Sequence, residues 1–202
     1  MKINIIIPVF NDWESLNYLL NHISKIINNK NHYIDSIDVT IIDDASTLDH
    51  NIQNDLKNIK IKILKLNNNL GSQNAINIGL RYLEENNLAV DYCIVMDSDG
   101  EDKAEDIIKL LQKAEQNKNK IIFASRAKRE DGVLFFLFYK IYLFSFYLLT
   151  GENLNFGNFS CIPKQMISSI IKLDNSKDHY PAAILRSDLA YIKVKCDRGK
   201  RY

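Results

Sequence analysis

Asp97, Ser98 and Asp99 follow directly on a short hydrophobic run, Asp91-Tyr-Cys-Ile-Val-Met96. Two carboxylates spaced two apart in an extended or turning chain can point the same way. Such a pair suits a hard divalent cation, and Mg²⁺ or Mn²⁺ held there would bridge to phosphate oxygens. Glu101 stands two residues further on as a third oxygen donor. Alone, the same residues describe a solvated acidic turn before a helix; their place beside other polar clusters favours the cation. Asp43-Asp44-Ala45-Ser46 closes another hydrophobic run. It could hydrogen-bond a ribose hydroxyl or a base, or simply cap a helix through Ser46. Asn69-Leu70-Gly71-Ser72 is a turn into a helix in which Gly71 would let a ligand approach the backbone. Arg126 and Arg129 flank the exit of a further strand, where a diphosphate suits a guanidinium fork. A solvated charged loop is the plain alternative, because Lys128, Glu130 and Asp131 sit alongside.

The elements that must position these groups alternate along the chain. Residues 3–7 form a β-branched run, and a helix with Leu16, Leu19, Leu20, Ile23, Ile26 and Ile27 on one face follows Asp12. Further strands are expected at 37–42, 59–66, 91–96 and 121–125, with helices at 72–86 and 104–116 and a polar helical stretch over 48–57. Strands alternating with helices predict an α/β fold with a mostly parallel, doubly wound sheet flanked by helices. Right-handed crossovers put all strand C-termini on one edge, where such sheets bind ligands. Asn11-Asp12, Asp43-Asp44, Asn69-Gly71, Asp97-Asp99 and Ser125-Arg126 all fall there.

Composition narrows the function. The chain has 202 residues with Lys+Arg 26 against Asp+Glu 25, a formal net charge of +1. This gives nucleic-acid binding no support. Lys outnumbers Arg 20 to 6, so each Arg marks a place where a planar fork is useful. Cys93, Cys161 and Cys196 are widely spaced, with no metal or disulfide pattern and a reducing compartment implied. His22, His32, His50 and His179 lack ligand spacing. No Walker loop, Gly-x-Gly-x-x-Gly or Gly-x-Ser-x-Gly is present. The apolar start is too short for a signal peptide.

The character changes after residue 130. Val133 to Leu149 is apolar, 17 residues long, rich in Phe and Tyr, and contains Lys140. That composition suits an interfacial helix or a subunit contact better than a lipid-embedded span. Residues 1–130 are therefore expected to form the α/β core. Residues 131–202 are expected to form a further segment of the same domain, with an apolar interface helix near 133–149.

Taken in order, these motifs resemble one family. Ile7-Pro8-Val9-Phe10-Asn11-Asp12 resembles the Pro-Val-Tyr-Asn-Glu opening of family 2 glycosyltransferases. Ile42-Asp43-Asp44-Ala45-Ser46 is similar to their Asp-Asp-x-Ser. Asn69-Leu70-Gly71 with Ala75 and Gly79 is similar to their Asn-x-Gly-x-x-x-Ala-x-x-x-Gly helix, and Asp97-Ser98-Asp99 to their Asp-x-Asp. Within the family, Asp97–Asp102, Ser125-Arg126, Leu149–Ser160 and Asp197–Tyr202 most resemble the polyprenyl-phosphate (dolichol-phosphate mannosyltransferase-like) branch. The chain departs from it with Asp12 for Glu, Glu101 for Gln, and Lys103-Ala104-Glu105 for Pro-Pro-Glu.

The resemblance implies a glycosyltransferase A-type (GT-A) fold and an inverting transfer from a nucleotide-diphosphate sugar. By it, Pro8, Phe10, Asp12 and Asp44 cradle the nucleoside, with Gly71 at its edge. Asp97 and Asp99 hold Mg²⁺ or Mn²⁺ and the diphosphate, with Glu101 as an extra ligand. Arg126 contacts donor or acceptor phosphate, and Arg129, Arg198, Lys200 and Arg201 serve phosphate or acceptor. The implied acceptor is a lipid phosphate at the cytoplasmic face of a membrane, for a chain cut short before C-terminal membrane helices. A lipid phosphate is already anionic and needs no base; a glycan hydroxyl would need one, for which Asp178 is the candidate. Alternatives from other classes are a phosphorelay receiver-like module, a non-catalytic nucleotide-binding subunit, and a metal-dependent nucleotidyltransferase.

Overall fold

The structure, a computed structural model, describes residues 1–28, 34–49, 52, 56, 58–126, 156–173 and 175–202. Its elements run β1 (Lys2–Val9), α1 (Trp13–Asn28), β2 (Ser36–Asp43), β3 (Ile59–Lys65), α2 (Ser72–Glu85), β4 (Tyr92–Val95), α3 (Asp106–Glu115), β5 (Ile121–Arg126), β6 (Ser160–Pro163), α4 (Lys164–Ile171), α5 (Tyr180–Leu185) and β7 (Tyr191–Cys196). The strands make one seven-stranded sheet in the order β3-β2-β1-β4-β6-β5-β7. β1 pairs in parallel with β2 and β4, β2 with β3, and β5 with β7. Among the described strands, β6 alone runs antiparallel, between β4 and β5.

β1 is central, and both of its faces are buried, which is why it is a nearly unbroken Ile run. Ile3, Ile5, Ile7 and Val9 face α1 and α3, packing on Leu16, Leu20, Ile107 and Leu110. Ile6 faces the other layer, where Ala75, Ile76, Leu80 and Leu83 of α2 meet Ile167 and Ile170 of α4. Gly79 sets the α2–β1 distance: a Cβ there would lie 2.7 Å from Ile6 Cγ2.

The sequence expectations differ from the structure in three places. β1 continues through Pro8 to Val9, because the β2 register runs on through Val9↔Asp43. The sheet gains β6 and β7, so β4 and β5 are not neighbours. β6 is only four residues, too short to show a period. β7 alternates exposed Lys193 and Lys195 with half-buried Ile192 and Val194, the pattern of a guarded sheet edge. The helix expected over 48–57 lies largely outside the described residues; Leu48, Asp49, Ile52 and Leu56 carry no regular structure. The apolar helix expected near 133–149 also lies outside them. Among the described residues no helix is long and apolar enough to cross a membrane.

Candidate functional site

The chain leaves β1 for β2 on one side of the sheet and returns to β4 on the other. That reversal opens a crevice at the carboxyl ends of β1 and β4, the position where open α/β sheets take ligands. Three expected residues, Pro8, Phe10 and Asp12, stand at the β1 exit. Pro8 is buried in the strand opposite Ile42, Val9 ends it, Phe10 is 48% exposed, and Asp12 directly precedes α1. Asn11 carries a positive φ of 58° and ties this loop to the next. Its N–H donates to Ser46 Oγ at 2.9 Å, and its Oδ1 accepts from the N–H of Thr47 and Leu48. Phe10 is thereby presented as an exposed ring on a braced turn.

At the β2 exit, Asp43 and Asp44 are both buried, and each carboxylate holds backbone. Asp43 accepts from Ser46 N–H at 2.8 Å. Asp44 accepts from Leu70 N–H at 2.7 Å and Gly71 N–H at 2.8 Å. The Asp44 side chain is the clamp that seats the Asn69–Gly71 turn against β2. Gly71 then opens α2 at φ 84°, a conformation that favours glycine, and the space a Cβ would take there is open. The turn thus presents bare backbone at the start of a 14-residue helix.

The Asp97–Asp102 loop leaves β4 on the same edge as Asp44, with β1 between them. It is held by its own carboxylates: Asp102 Oδ2 accepts from Asp97 N–H at 3.0 Å, and Asp99 Oδ1 from Glu101 N–H at 3.0 Å. The C-terminal residues lie directly on it. Asp102 and Arg198 form an antiparallel bridge, Gly199 N–H donates to Glu101 C=O, and Tyr202 N–H to Asp99 C=O. The Arg198 guanidinium pairs with the Glu101 carboxylate, and Arg201 Nε lies 3.8 Å from Asp99 Oδ2. The Tyr202 ring fills the space a Cβ on Gly100 would need, lies 5.4 Å from the Tyr18 ring, and its hydroxyl is 3.1 Å from His22 Nδ1. Arg198 and Arg201, expected on phosphate, are here partnered with loop carboxylates, and Lys200 is exposed.

Two residues on this rim are not among the expected site residues. Asn158 Nδ2 donates to Asp97 Oδ1 at 3.1 Å, and Gln73 Nε2 donates to Asn158 Oδ1 at 2.9 Å. Their partners are 61 and 85 residues away in the chain, beyond any local pattern. Together with the Asp44 clamp they join the β2 exit, the start of α2 and the Asp97 loop into one hydrogen-bonded rim.

Of the other expected residues, Arg126 ends β5 opposite Cys196, and Arg129 lies outside the described residues. Asp178 is exposed, on a cavity of about 420 Å³ shared with His179 and Arg186. Burial there pulls the His179 imidazole below its ordinary value. Among the described residues, no three His, Cys, Asp or Glu side chains form a metal-binding cluster. Glu101, expected as an extra ligand, is engaged by Arg198. Mg²⁺ is commonly held by one or two carboxylates, with substrate phosphate and water completing the shell. Asp97 and Asp99 fit that donor chemistry as a pair.

Solved structures share this architecture. S. aureus TarS 1–349 is 14% identical, with a TM-score of 0.58; the alignment covers 98% of this chain and 59% of that one. This chain therefore spans about three-fifths of the TarS fragment, which has also been solved with UDP. CMP:2-keto-3-deoxy-manno-octonic acid synthetase complexed with CTP is 8% identical at TM-score 0.60, over 100% of this chain and 93% of that one. Rv0371c of Mycobacterium tuberculosis H37Rv, solved with manganese, is 7% identical at TM-score 0.53, over 97% and 88%. At these identities the likeness establishes the GT-A type of fold and no more. No curated protein matches the sequence significantly. The activity class comes from the sequence family, whose model, described as "Glycosyl transferase family 2", matches residues 4–169. That span runs from the first residues of β1 through most of α4 and takes in every loop of the crevice, so the chain belongs to glycosyl transferase family 2.

Proposed function

We propose that this chain transfers a sugar, with inversion, from a nucleotide-diphosphate donor to a polyprenyl phosphate at the cytoplasmic face of a membrane. The observation that carries the reading is the convergence of the Phe10 turn, the Asp44-clamped start of α2 and the Asp97–Asp99 loop on one crevice. Phe10 offers a face on which a nucleobase stacks. Asp12 and the backbone around Asp44 and Gly71 receive the nucleoside and its phosphates. Asp97 and Asp99 hold Mg²⁺ or Mn²⁺, which when bound offsets the charge developing on the leaving diphosphate. Arg126, at the end of β5, serves the same charge. The acceptor phosphate oxygen bonds to the anomeric carbon as the bond to the nucleoside diphosphate breaks. A phosphate monoester has its second pKa near about 6, so no protein base is required. UDP in a TarS structure and manganese in an Rv0371c structure support the choice of ligands.

A glycan hydroxyl is the second acceptor considered, because Asp178 stands on a cavity that could serve as an acceptor pocket. A thermal-shift panel of UDP, GDP and CDP, with and without Mn²⁺, tests the donor side. We expect one nucleotide to raise the melting midpoint in the presence of Mn²⁺, since a native-state ligand stabilises by RT ln(1 + [L]/Kd). Asp97→Asn and Asp99→Asn should each remove the Mn²⁺-dependent part and abolish transfer. Unchanged turnover in Asp99→Asn with metal present refutes the cation assignment. Asp178→Ala should leave transfer to lipid phosphate intact; loss of several orders of magnitude would assign the acceptor as a hydroxyl.

A further inference from the structure

The hydrogen bonds ending on Asp97 have a direction. The chain begins at Tyr180, whose backbone N–H donates to Gln73 Oε1 at 2.8 Å. A backbone N–H can only donate, so it fixes which end of the Gln73 amide faces it. Gln73 Nε2 is then the end turned toward Asn158, where it donates to Oδ1. With Oδ1 accepting, the end of Asn158 turned toward Asp97 is Nδ2, a donor meeting a carboxylate oxygen. Neither amide can flip without losing a bond to a group of fixed polarity.

Tyr180 also grips the far side of Asn158. Ser160 Oγ donates to the Asn158 carbonyl at 2.9 Å and lies 2.8 Å from the Tyr180 hydroxyl. The Ser160 proton is committed to that carbonyl, so the phenol donates to Ser160. Ser160 and Tyr180 are 0% and 1% exposed. One buried residue at the start of α5 therefore holds both the backbone of Asn158 and, through Gln73, its side chain.

We infer that Gln73 and Asn158 are positioning residues, a one-way hydrogen-bond chain from the start of α5 that fixes the rotation of the Asp97 carboxylate for a cation-bound diphosphate. The inference rests on the reading of Asp97 given above. Groups that orient a metal-ligating carboxylate commonly change metal affinity about 10–100-fold when removed.

The test titrates Mn²⁺ into the protein with a saturating amount of whichever of UDP, GDP or CDP it binds, read by electron paramagnetic resonance. Asn158→Ala should raise the Mn²⁺ Kd about ten-fold or more. Gln73→Glu still accepts from Tyr180 N–H but has no donor for Asn158, so it should weaken Mn²⁺ without touching Asp97. The added negative charge alone would strengthen cation binding, so a loss isolates the orienting effect. Because Gln73 acts only through Asn158, the double variant should be no weaker than Asn158→Ala. Should Asn158→Ala fail to fold, Gln73→Glu and the unsubstituted protein decide. In the latter, the Asn158 side-chain amide protons should exchange with solvent markedly more slowly than those of an exposed asparagine by NMR, and their resonances should move on Asp97→Asn. Additive losses, an Asn158 side-chain amide that exchanges as fast as an exposed one, or unchanged Mn²⁺ affinity in both single variants overturns the inference. If Asp97→Asn abolishes Mn²⁺ binding while those variants leave it unchanged, only the positioning chain falls. If Asp97→Asn leaves it unchanged, the cation reading falls and the chain with it.

Discussion

Gly199→Ala is the sharpest probe of how the Asp97–Asp102 loop is ordered. A Cβ on Gly199 would lie well inside van der Waals contact distance of the Gly100 carbonyl oxygen, and backbone cannot swing away as a side chain can. The C-terminal segment must then lift off the loop. Lifting breaks the hydrogen bonds from Gly199 N–H to Glu101 and from Tyr202 N–H to Asp99, each worth about 0.5–1.5 kcal/mol net. The Arg198–Glu101 pair goes too, its side chains 21% and 17% exposed; solvent screening brings it to about 1 kcal/mol. The total is about 3 kcal/mol, which predicts that the Tyr202 amide exchanges roughly 100-fold more slowly than an open chain, since about 1.4 kcal/mol is a factor of ten. Hydrogen exchange followed by NMR measures this. Gly199→Ala should erase the protection at Tyr202 and raise exchange in residues 97–102, whereas Lys200→Ala, an exposed site, should change neither. Full protection of the Tyr202 amide in Gly199→Ala refutes the docking of this segment.

Asp44→Ala removes two charge-assisted acceptors from Leu70 and Gly71 and leaves those N–H groups to find water. The expected loss is about 3 kcal/mol by urea denaturation, and an unmoved midpoint would show that the turn stands without its clamp. Burial raises the Asp106 carboxyl above its ordinary value of 3.8, and its Oδ2 has no hydrogen-bond partner. Just above that value the native state keeps a proton the unfolded chain has lost, so stability falls as pH rises through the folded value. Asp106→Asn, which cannot ionise, should be more stable than the parent at pH 7, with the difference vanishing below about pH 3.8. A gap that stays constant from pH 3 to pH 7 would contradict the linkage.

Long strands and amphipathic helices can be read from the residues because each carries its own periodicity. The Ile run of β1 announces burial on both faces, and the Leu and Ile spacing in α1 its inward stripe. The strand exits follow from the same pattern, which is how Asp44 and Asp97 can be placed on one edge from the residues alone. What cannot be read is nonlocal. β6 has four residues and acquires its identity from β4 and β5. Gln73 and Asn158 are ordinary amides until the fold brings them to Asp97. The arginines stand out in a Lys-rich chain, but nothing local to Arg198 shows that it meets Glu101. Asp44 stands out for its charge, and the structure commits that charge to two backbone groups.

The antiparallel insertion of β6 has a consequence for how the protein is made. On the ribosome, β1 to β4 emerge first and can pair among themselves, but the outer margin of β4 has no mate until Ser160–Pro163 has been synthesised. At about 5–20 residues per second that delay lasts several seconds. Through it, the buried-to-be Tyr92, Cys93, Ile94 and Val95 present a bare strand to whatever passes. A nascent chain halted before residue 160 should therefore be the species that chaperones hold and that aggregates.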